Sequence, residues 1–434
     1  WCCWRRLRLG RMRKSRKAHS RLLLIAPPNS YRTVAYLQAA RRRSVDVLVA
    51  SEGEHSLVSE IASGLHVDLS AADALERLLE AAREQPFDGI VATDDATVEL
   101  GSRIARALGL PHNEPGAALA TRRKDLSREV LRDAAVSIPD FRVIDLGSDI
   151  ARQSDGFGFP CIVKPLSLSA SRGVIRANSQ DELLSACARV TDILAGNLQD
   201  EIYLRSHVLL ESFIAGPEVA VEGLLYRGEL SVLAIFDKPD PLEGPFFEET
   251  YYITPSRHAA AVQREIIESV SAACRGLSLR EGPVHAEVRI AASGCVIIEV
   301  ASRTIGGECA RLLNFGTGHT LEELVIAHAL GEALDLEVPV DAAGVLMIPI
   351  RAAGILRRIE GMTAARAVDF IEDILISIRD GYELVPLPEG SSYLGFMFAR
   401  APTAQQVEAA LRSAYDELNI VVGPLLRIED LRQN

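Results

Sequence analysis

Two glutamates twelve residues apart, Glu287 and Glu299, frame the stretch HAEVRIAASGCVIIEVASR from His285 to Arg303. A three-residue turn at Ala292-Ser293-Gly294, with the glycine in the left-handed position of a bulge, makes this stretch a β-hairpin. Glu287 then faces Glu299, Arg289 faces Ile297 and His285 faces Ala301. The other face becomes an apolar layer of Ala286, Val288 and Ile290 against Val296, Ile298 and Val300, and a one-residue slip would mix the two. Carboxylates directly across a sheet repel one another. A hard divalent cation, Mg²⁺ or Mn²⁺, relieves that repulsion, so the pair is a candidate metal site. The plainer alternative is a solvated pair screened by Arg289.

Cationic and hinge-like candidates lie upstream. Lys164 ends the run CIVKP and precedes the small-residue loop LSLSASRG. A lysine leaving a strand there can meet phosphates together with loop N–H groups, and Ser169, Ser171 and Arg172 supply polarity where the loop has only one glycine. An ordinary strand-end lysine is the alternative. Lys124 opens a charged amphipathic helix. In LLESFIAGPE, Glu211 and Glu218 are seven apart around a turn at Gly216-Pro217. Backbone groups over Ser212, Phe213 and Ile214 could meet an adenine edge, and a carboxylate suits ribose hydroxyls. The Pro- and Glu-rich segment 236–257 reads as an irregular lid or substrate loop, with Glu248 or Glu249 placed to bind an amino group.

The elements that must position these residues follow from periodicity. RLLLIAP, VDVLVAS and FDGIVATDD alternate with helical stretches at Tyr31–Arg43, Ala72–Glu84 and Ala96–Leu108. Continuous apolar strands between helices predict a doubly wound parallel-sheet domain over 21–115. Residues 116–335 mix helices with antiparallel strands, including helices at Ala259–Leu277 and Thr320–Leu330. Residues 336–434 read as a further α+β module. The first twenty residues, with eight basic side chains between Arg5 and Lys17, are set apart as a disordered extension lacking the apolar core of a secretory signal.

Composition narrows the function classes. A net charge of −12 argues against general nucleic-acid affinity, and no apolar run is long enough for a membrane span. Seven scattered cysteines, an odd number, suit a reducing, cytoplasmic compartment. The sequence leaves a homodimer open.

The order Lys124, then FPCIVKP and its loop, then E-S-F-I-x-G-x-E, H-x-E and I-I-E-V-x-x-R resembles the ATP-grasp superfamily over residues 21 to 430. LIAPPNSYR, FFEETYYITPSR and GVLMIPIRAAGILRRIEG are similar to the L-amino-acid (dipeptide) ligase branch of carboxylate–amine ligases. The resemblance implies a pre-ATP-grasp domain, a lid subdomain at about 155–215, a catalytic sheet and an appended C-terminal domain. It implies ATP held by Lys124 and Lys164, adenine read at Glu211, Ser212 and Ile214, and ribose at Glu218. It further implies Mg²⁺ on Glu287 and Glu299, phosphoryl transfer at Arg303, and backbone approach at Gly306 and Gly307. His285 is a substrate contact or a structural residue. The expected reaction joins a small carboxylate, an amino acid, to an amine through an acyl-phosphate. Ala301 departs from the superfamily's usual asparagine and bears on the number of metal ions. A biotin-carboxylase-like enzyme and a non-catalytic ATP-binding module are the rival readings, although no Met-Lys-Met carrier motif occurs.

Overall fold

In SRLLLI (Ser20–Ile25, β1) the last four side chains are fully buried, each contributing about 1.5–3 kcal/mol of burial. Leu22 and Leu24 pack to one side with Tyr36 and Val49, Leu23 and Ile25 to the other with Leu78 and Ile104. A strand buried on both faces needs helices on both, and the flanking sequence provides them. The coordinates are a computed structural model, which describes residues 7–8, 20–28, 30–52, 63–197, 201–315, 318–332, 335–336 and 341–425. Apart from Leu7–Arg8, paired with Asp335–Leu336, and Ser20, the expected disordered extension lies outside the described residues.

β1, β2 (Val45–Ser51), β3 (Ser63–His66) and β4 (Gly89–Ala92) form a parallel sheet in the order β3-β2-β1-β4. Helices α1 (Arg32–Arg42), α2 (Ala74–Glu84) and α3 (Val98–Ala107) fall within the predicted spans. Two short helices, α4 (Pro115–Arg122) and α5 (Lys124–Asp133), lead out of this domain. The lid that follows is an antiparallel sheet of β5 (Phe141–Asp145), β6 (Cys161–Pro165), β7 (Ile175–Ala177) and β8 (His207–Ser212), in the order β5-β8-β6-β7. Its first strand therefore begins ahead of the expected boundary near 155. Helix α6 (Gln180–Ala195) covers it with Leu183, Val190 and Leu194.

The central sheet has eight strands. β9 (Glu218–Tyr226), β10 (Glu229–Lys238), β11 (Tyr251–Thr254), β12 (Gly282–Ala291) and β13 (Gly294–Ala301) are joined by β14 (Ala342–Ile348), β15 (Ile371–Ile376) and β16 (Gly395–Ala401). The order is β13-β12-β9-β10-β11-β14-β16-β15. Helices α7 (Ala260–Gly276), α8 (Leu321–Ala329) and α9 (Ala404–Asp416) pack against it.

Two expectations change here. The C-terminal segment adds strands to the central sheet rather than standing beside it, because β14 pairs with β11 along four residues. The presumed loop 236–257 is also shorter, since Tyr251, Tyr252 and Ile253 are buried and form β11. An aromatic and β-branched run of that kind favours a strand even between irregular flanks.

Candidate active site

A cavity of about 680 Å³ opens between the lid sheet and the central sheet, closed at one end by loops of the N-terminal domain. All of the sequence-predicted site residues line it except Glu248 and Arg172. Of the two acids offered for an amino group, the structure thus keeps Glu249.

The hairpin has the predicted partners at its functional end but a different cause. His285 faces Ala301 and Glu287 faces Glu299, as expected. The turn, however, is two residues long, and the extra residue is a bulge within β13: beyond Glu287 the pairing becomes Val288 with Ile297 and Arg289 with Val296. Ile297 and Cys295 consequently enter the core under α7, while Ile298 joins Glu299 on the cavity side. A bulge lets consecutive side chains re-aim where simple alternation would forbid it.

The two glutamates differ in setting. Glu299 keeps 30% of its side chain exposed, with the Lys124 ammonium 3.4 Å away. Glu287 belongs to a buried cluster. Lys238 ends β10 with 3% of its side chain exposed, and its ammonium bonds Glu218 at 2.7 Å, Glu287 at 3.0 Å and Glu249. Burial opposes ionisation of Glu287, but Lys238 and His285 outweigh it and hold the carboxyl well below the usual range. Burial and the Glu287 charge together push Glu249 up to about 7. Tyr252 donates its hydroxyl to the same carboxyl at 2.8 Å.

Glu218, Glu249 and Glu287 are close enough to share a cation, yet the Lys238 ammonium already contacts all three. Glu287 and Glu299 together fit a divalent ion better. Both are hard oxygen donors across one strand pair, and Lys238 meets Glu287 through Oε1. Arg289, offered as a screen for this pair, turns instead to Glu218 at 2.8 Å and to the carbonyls of Ile214 and Leu242. Both Glu218 oxygens are bonded to cations, so a ribose would compete with Lys238 and Arg289 for them.

On the lid side, Lys164 and Arg128 each approach Glu211 to 2.7 Å. Burial works against the Glu211 charge, but these two cations hold its carboxyl down to about 2. Glu211 is a structural anchor for Lys164, and its side chain is not free to read a base. At the hinge the Ser212 and Phe213 N–H groups donate to Asp140 and Pro160, which leaves adenine contacts to the other backbone groups there. The Phe213 ring lies 4.3 Å from the Arg176 guanidinium carbon. In the loop after Lys164, Ala170 and Ser171 hold φ of 54°, a conformation costly without glycine. Ser169 and Ser171 line the cavity, whereas Arg172 turns away to Glu389 O and Asn197. Lys124 donates to Leu168 O at 2.8 Å and so ties its helix to this loop.

His285 is buried, with Nδ1 at 3.5 Å from Glu222 and Nε2 at 3.9 Å from Glu287. Burial disfavours its charge, but the two carboxylates outweigh that and raise its pKa. Neither His285 Nδ1 nor Glu222 Oε1 makes a hydrogen bond among the described residues.

The residues that sequence reasoning missed come mostly from the N-terminal domain. Asp95 bonds the Arg303 Nε with both carboxylate oxygens at 3.0 Å, and Nη2 lies at the same distance from one of them. Asp94 takes Arg32 at 2.5 Å and Ser30 at 2.6 Å. The Gly307 N–H, expected to face substrate oxygens, donates to the Tyr31 hydroxyl at 3.1 Å. Gly307 has φ of 62° and a Cβ there would meet Met347 Sδ at 2.3 Å, so glycine is required for packing. The missed signal was positional: Ser30–Arg32 follow β1 and Asp94–Asp95 follow β4, at the carboxyl ends of parallel strands where α/β sheets bind ligands.

Three family profiles match the chain: an ATP-grasp N-terminal domain at residues 37–112, an ATP-grasp domain at 157–311, and L-amino acid ligase C-terminal domain 2 at 346–423. The crystal structure of an L-amino acid ligase from Bacillus licheniformis superposes with a TM-score of 0.76 at 25% identity, over 93% of this chain and 99% of that one. The chain carries an ATP-grasp domain. The chain is also 25% identical to an uncharacterised protein of Sinorhizobium fredii, over 92% of its own length and 82% of the relative's. It is 26% identical to the alanine–anticapsin ligase of Bacillus subtilis over 232 residues, half of this chain and 48% of that enzyme. The chain thus spans about half the length of the curated ligases of that kind that it matches. In the described residues no helix is long and apolar enough to cross a membrane.

Proposed function

We propose that this ATP-grasp ligase joins the carboxylate of an L-amino acid to an amine, using ATP and passing through an acyl-phosphate. The observation that carries the reading is one cleft lined by Lys124, Lys164 and Arg303 together with the facing carboxylates Glu287 and Glu299. The superposition on an L-amino acid ligase over nearly the whole of both chains supports it.

A carboxylate is a poor electrophile. In the first step its oxygen bonds the γ-phosphorus of ATP as the bond to the β-phosphate oxygen breaks, releasing ADP. Lys124 and Lys164 bind the phosphates, and Arg303 faces the transferred group, where fixed cations act most strongly. A Mg²⁺ or Mn²⁺ ion on Glu287 and Glu299 would spread the charge of that transfer. In the second step the amine nitrogen bonds the acyl carbon, the bond to phosphate breaks, and the nitrogen loses a proton. Glu249, on the cavity wall, binds the amino group of the activated amino acid, and the closed lid excludes water from the acyl-phosphate.

The test is ADP release from the purified chain with ATP, Mg²⁺ and pairs of amino acids, with mass spectrometry of the products. ADP release that requires amino acids and yields a condensed product is the expected result. Turnover driven by bicarbonate and biotin, or ATP binding with no turnover on any donor, would overturn the reading.

A further inference from the structure

We infer that Arg412, on helix α9 and outside the cavity, is a positioning residue that sets the place of Glu249 and with it the affinity for the donor amino acid. This rests on the ligase reading above and extends it to the C-terminal helix.

The segment between β10 and β11 needs such a support. It leaves the sheet after Lys238 and returns at Tyr251, and Lys238 and Glu249 at its two ends bond one another in the buried acid cluster. Antiparallel neighbours are ordinarily held at the stem of a loop by their ladder. β10 and β11 share one register pair, Asp237 with Ile253. Side chains close the stem instead. Thr250 donates its hydroxyl across it to Asp240 at 2.8 Å. Arg412 donates to the other oxygen of Asp240 at 2.6 Å, and its guanidinium carbon lies 4.4 Å from the centre of the Tyr251 ring. One side chain of α9 thus grips both ends of the segment.

The grip is itself braced. One turn earlier on α9, Glu408 accepts from Arg412 at 3.0 Å and from Arg257 at 2.6 Å. Arg257, which follows β11, also donates through its backbone N–H and its Nε to Asp237 of β10. A planar guanidinium can serve Asp240, Glu408 and an aromatic face together, which an ammonium on a flexible stem does less well.

The route from α9 to the cavity is short. Arg412 bonds Asp240, Asp240 accepts from Thr250, and Thr250 is the covalent neighbour of Glu249. On its other side the Thr250 carbonyl accepts the Met347 N–H of β14 at 2.8 Å. Lys238 and Tyr252 aim the Glu249 carboxyl, whereas Thr250 fixes the backbone that carries it. The cations expected at the phosphates use none of these contacts, since Lys164 is fixed on Glu211 and Lys124 on Leu168 O. The side chains of Arg412 and Asp240 are 40% and 36% exposed, so their pair adds little to global stability. Its effect falls on geometry, where a displacement of about 1 Å can cost on the order of 100-fold.

The experiment uses the whole chain, with hydroxylamine as acceptor so that the amino acid supplied is the donor. Arg412→Met keeps an apolar stem against Tyr251 and removes the N–H donors. With the best donor among the common amino acids, it should raise KM for that donor about 10-fold and leave KM for ATP within about twofold. The melting temperature should stay within about 4 °C. Amide exchange over residues 239–250 should quicken about 10-fold while that over 166–174 is unchanged. Arg412→Lys should recover part of the donor KM. Asp240→Asn should raise it to a similar extent, and the double variant should exceed either single one by less than about twofold. An unchanged donor KM, an equal rise in KM for ATP, additive effects of the two substitutions, or unchanged exchange over 239–250 would overturn the Arg412 assignment in a chain that makes hydroxamate. Absence of hydroxamate from the wild-type chain would overturn the ligase reading, and this inference with it.

Discussion

On the lid wall of the cleft, Lys164 and Arg128 close on a single acid, Glu211, with every partner buried. On the central-sheet wall the acids are in excess: Glu218, Glu249 and Glu287 gather around one lysine, Lys238, and Glu299 stands apart and more open. The lid thus presents cations where phosphates are expected, and the sheet presents acids where a metal ion and a substrate ammonium are expected. Neither wall would be stable with its surplus unpaired, because a buried charge without a partner costs several kcal/mol. Each wall therefore contains its own counter-ion, and those counter-ions are the residues hardest to find in the sequence.

Removing the open carboxylate tests the contrast most severely. Glu299→Ala should reduce ATP turnover by on the order of 1000-fold while leaving stability within about 0.5 kcal/mol. Steady-state ADP release and urea unfolding would show whether the two effects separate; near-normal turnover would remove the metal assignment. The closed side of the comparison should behave in the opposite way. Glu211→Ala leaves Arg128 and Lys164 buried without an acid and should cost about 3–5 kcal/mol of stability.

That same triad sets an acid limit. Because Glu211 is held down to about 2, below its unfolded range, its contribution is present above about pH 4.5 and is lost as pH falls toward 2. Unfolding measured against pH should show a loss in that window that Glu211→Gln lacks. A smaller effect is expected at Asp95. Asp95→Asn should lower kcat about 10- to 100-fold by loosening Arg303, with KM for ATP little changed. A parallel rise in KM would mean that the aspartate serves binding rather than positioning. The smallest concerns Glu389, whose pair with Arg189 joins the lid to the C-terminal segment but is well exposed. Glu389→Ala should cost under about 1 kcal/mol and change KM for ATP less than about twofold; anything larger would make this contact a working latch.

The sequence made the layers legible because burial leaves a periodic trace. β1, β2 and β4 with their helices, and the facing of Glu287 with Glu299, were readable from apolar spacing alone, whereas the short, largely exposed β3 was not. The bulge at Ile298 was not, because moving one residue from the turn into the strand preserves both the count and the two faces near the glutamates. Lys238 was missed for a related reason. A lysine at a strand end is ordinarily solvated, and only the fold brings Glu218, Glu249 and Glu287 around it. Asp94 and Asp95 look like turn residues, and their meeting with Arg32 and Arg303 depends on how the N-terminal domain sits on the central sheet. Residues whose partners lie tens to hundreds of positions away leave no local signal.

The short strand β11 carries a consequence for how this chain can be divided. It meets β10 at one residue pair, Asp237 with Ile253, but meets β14 at four. Glu249 stands two residues before it, so the acid on the cavity wall takes its position chiefly from a strand of the C-terminal segment. A protein cut before Ala342 would lose the template for that acid, even with every ATP-grasp residue retained. Exchanging the C-terminal segment between related chains would therefore amount to editing the substrate site, not to swapping an accessory.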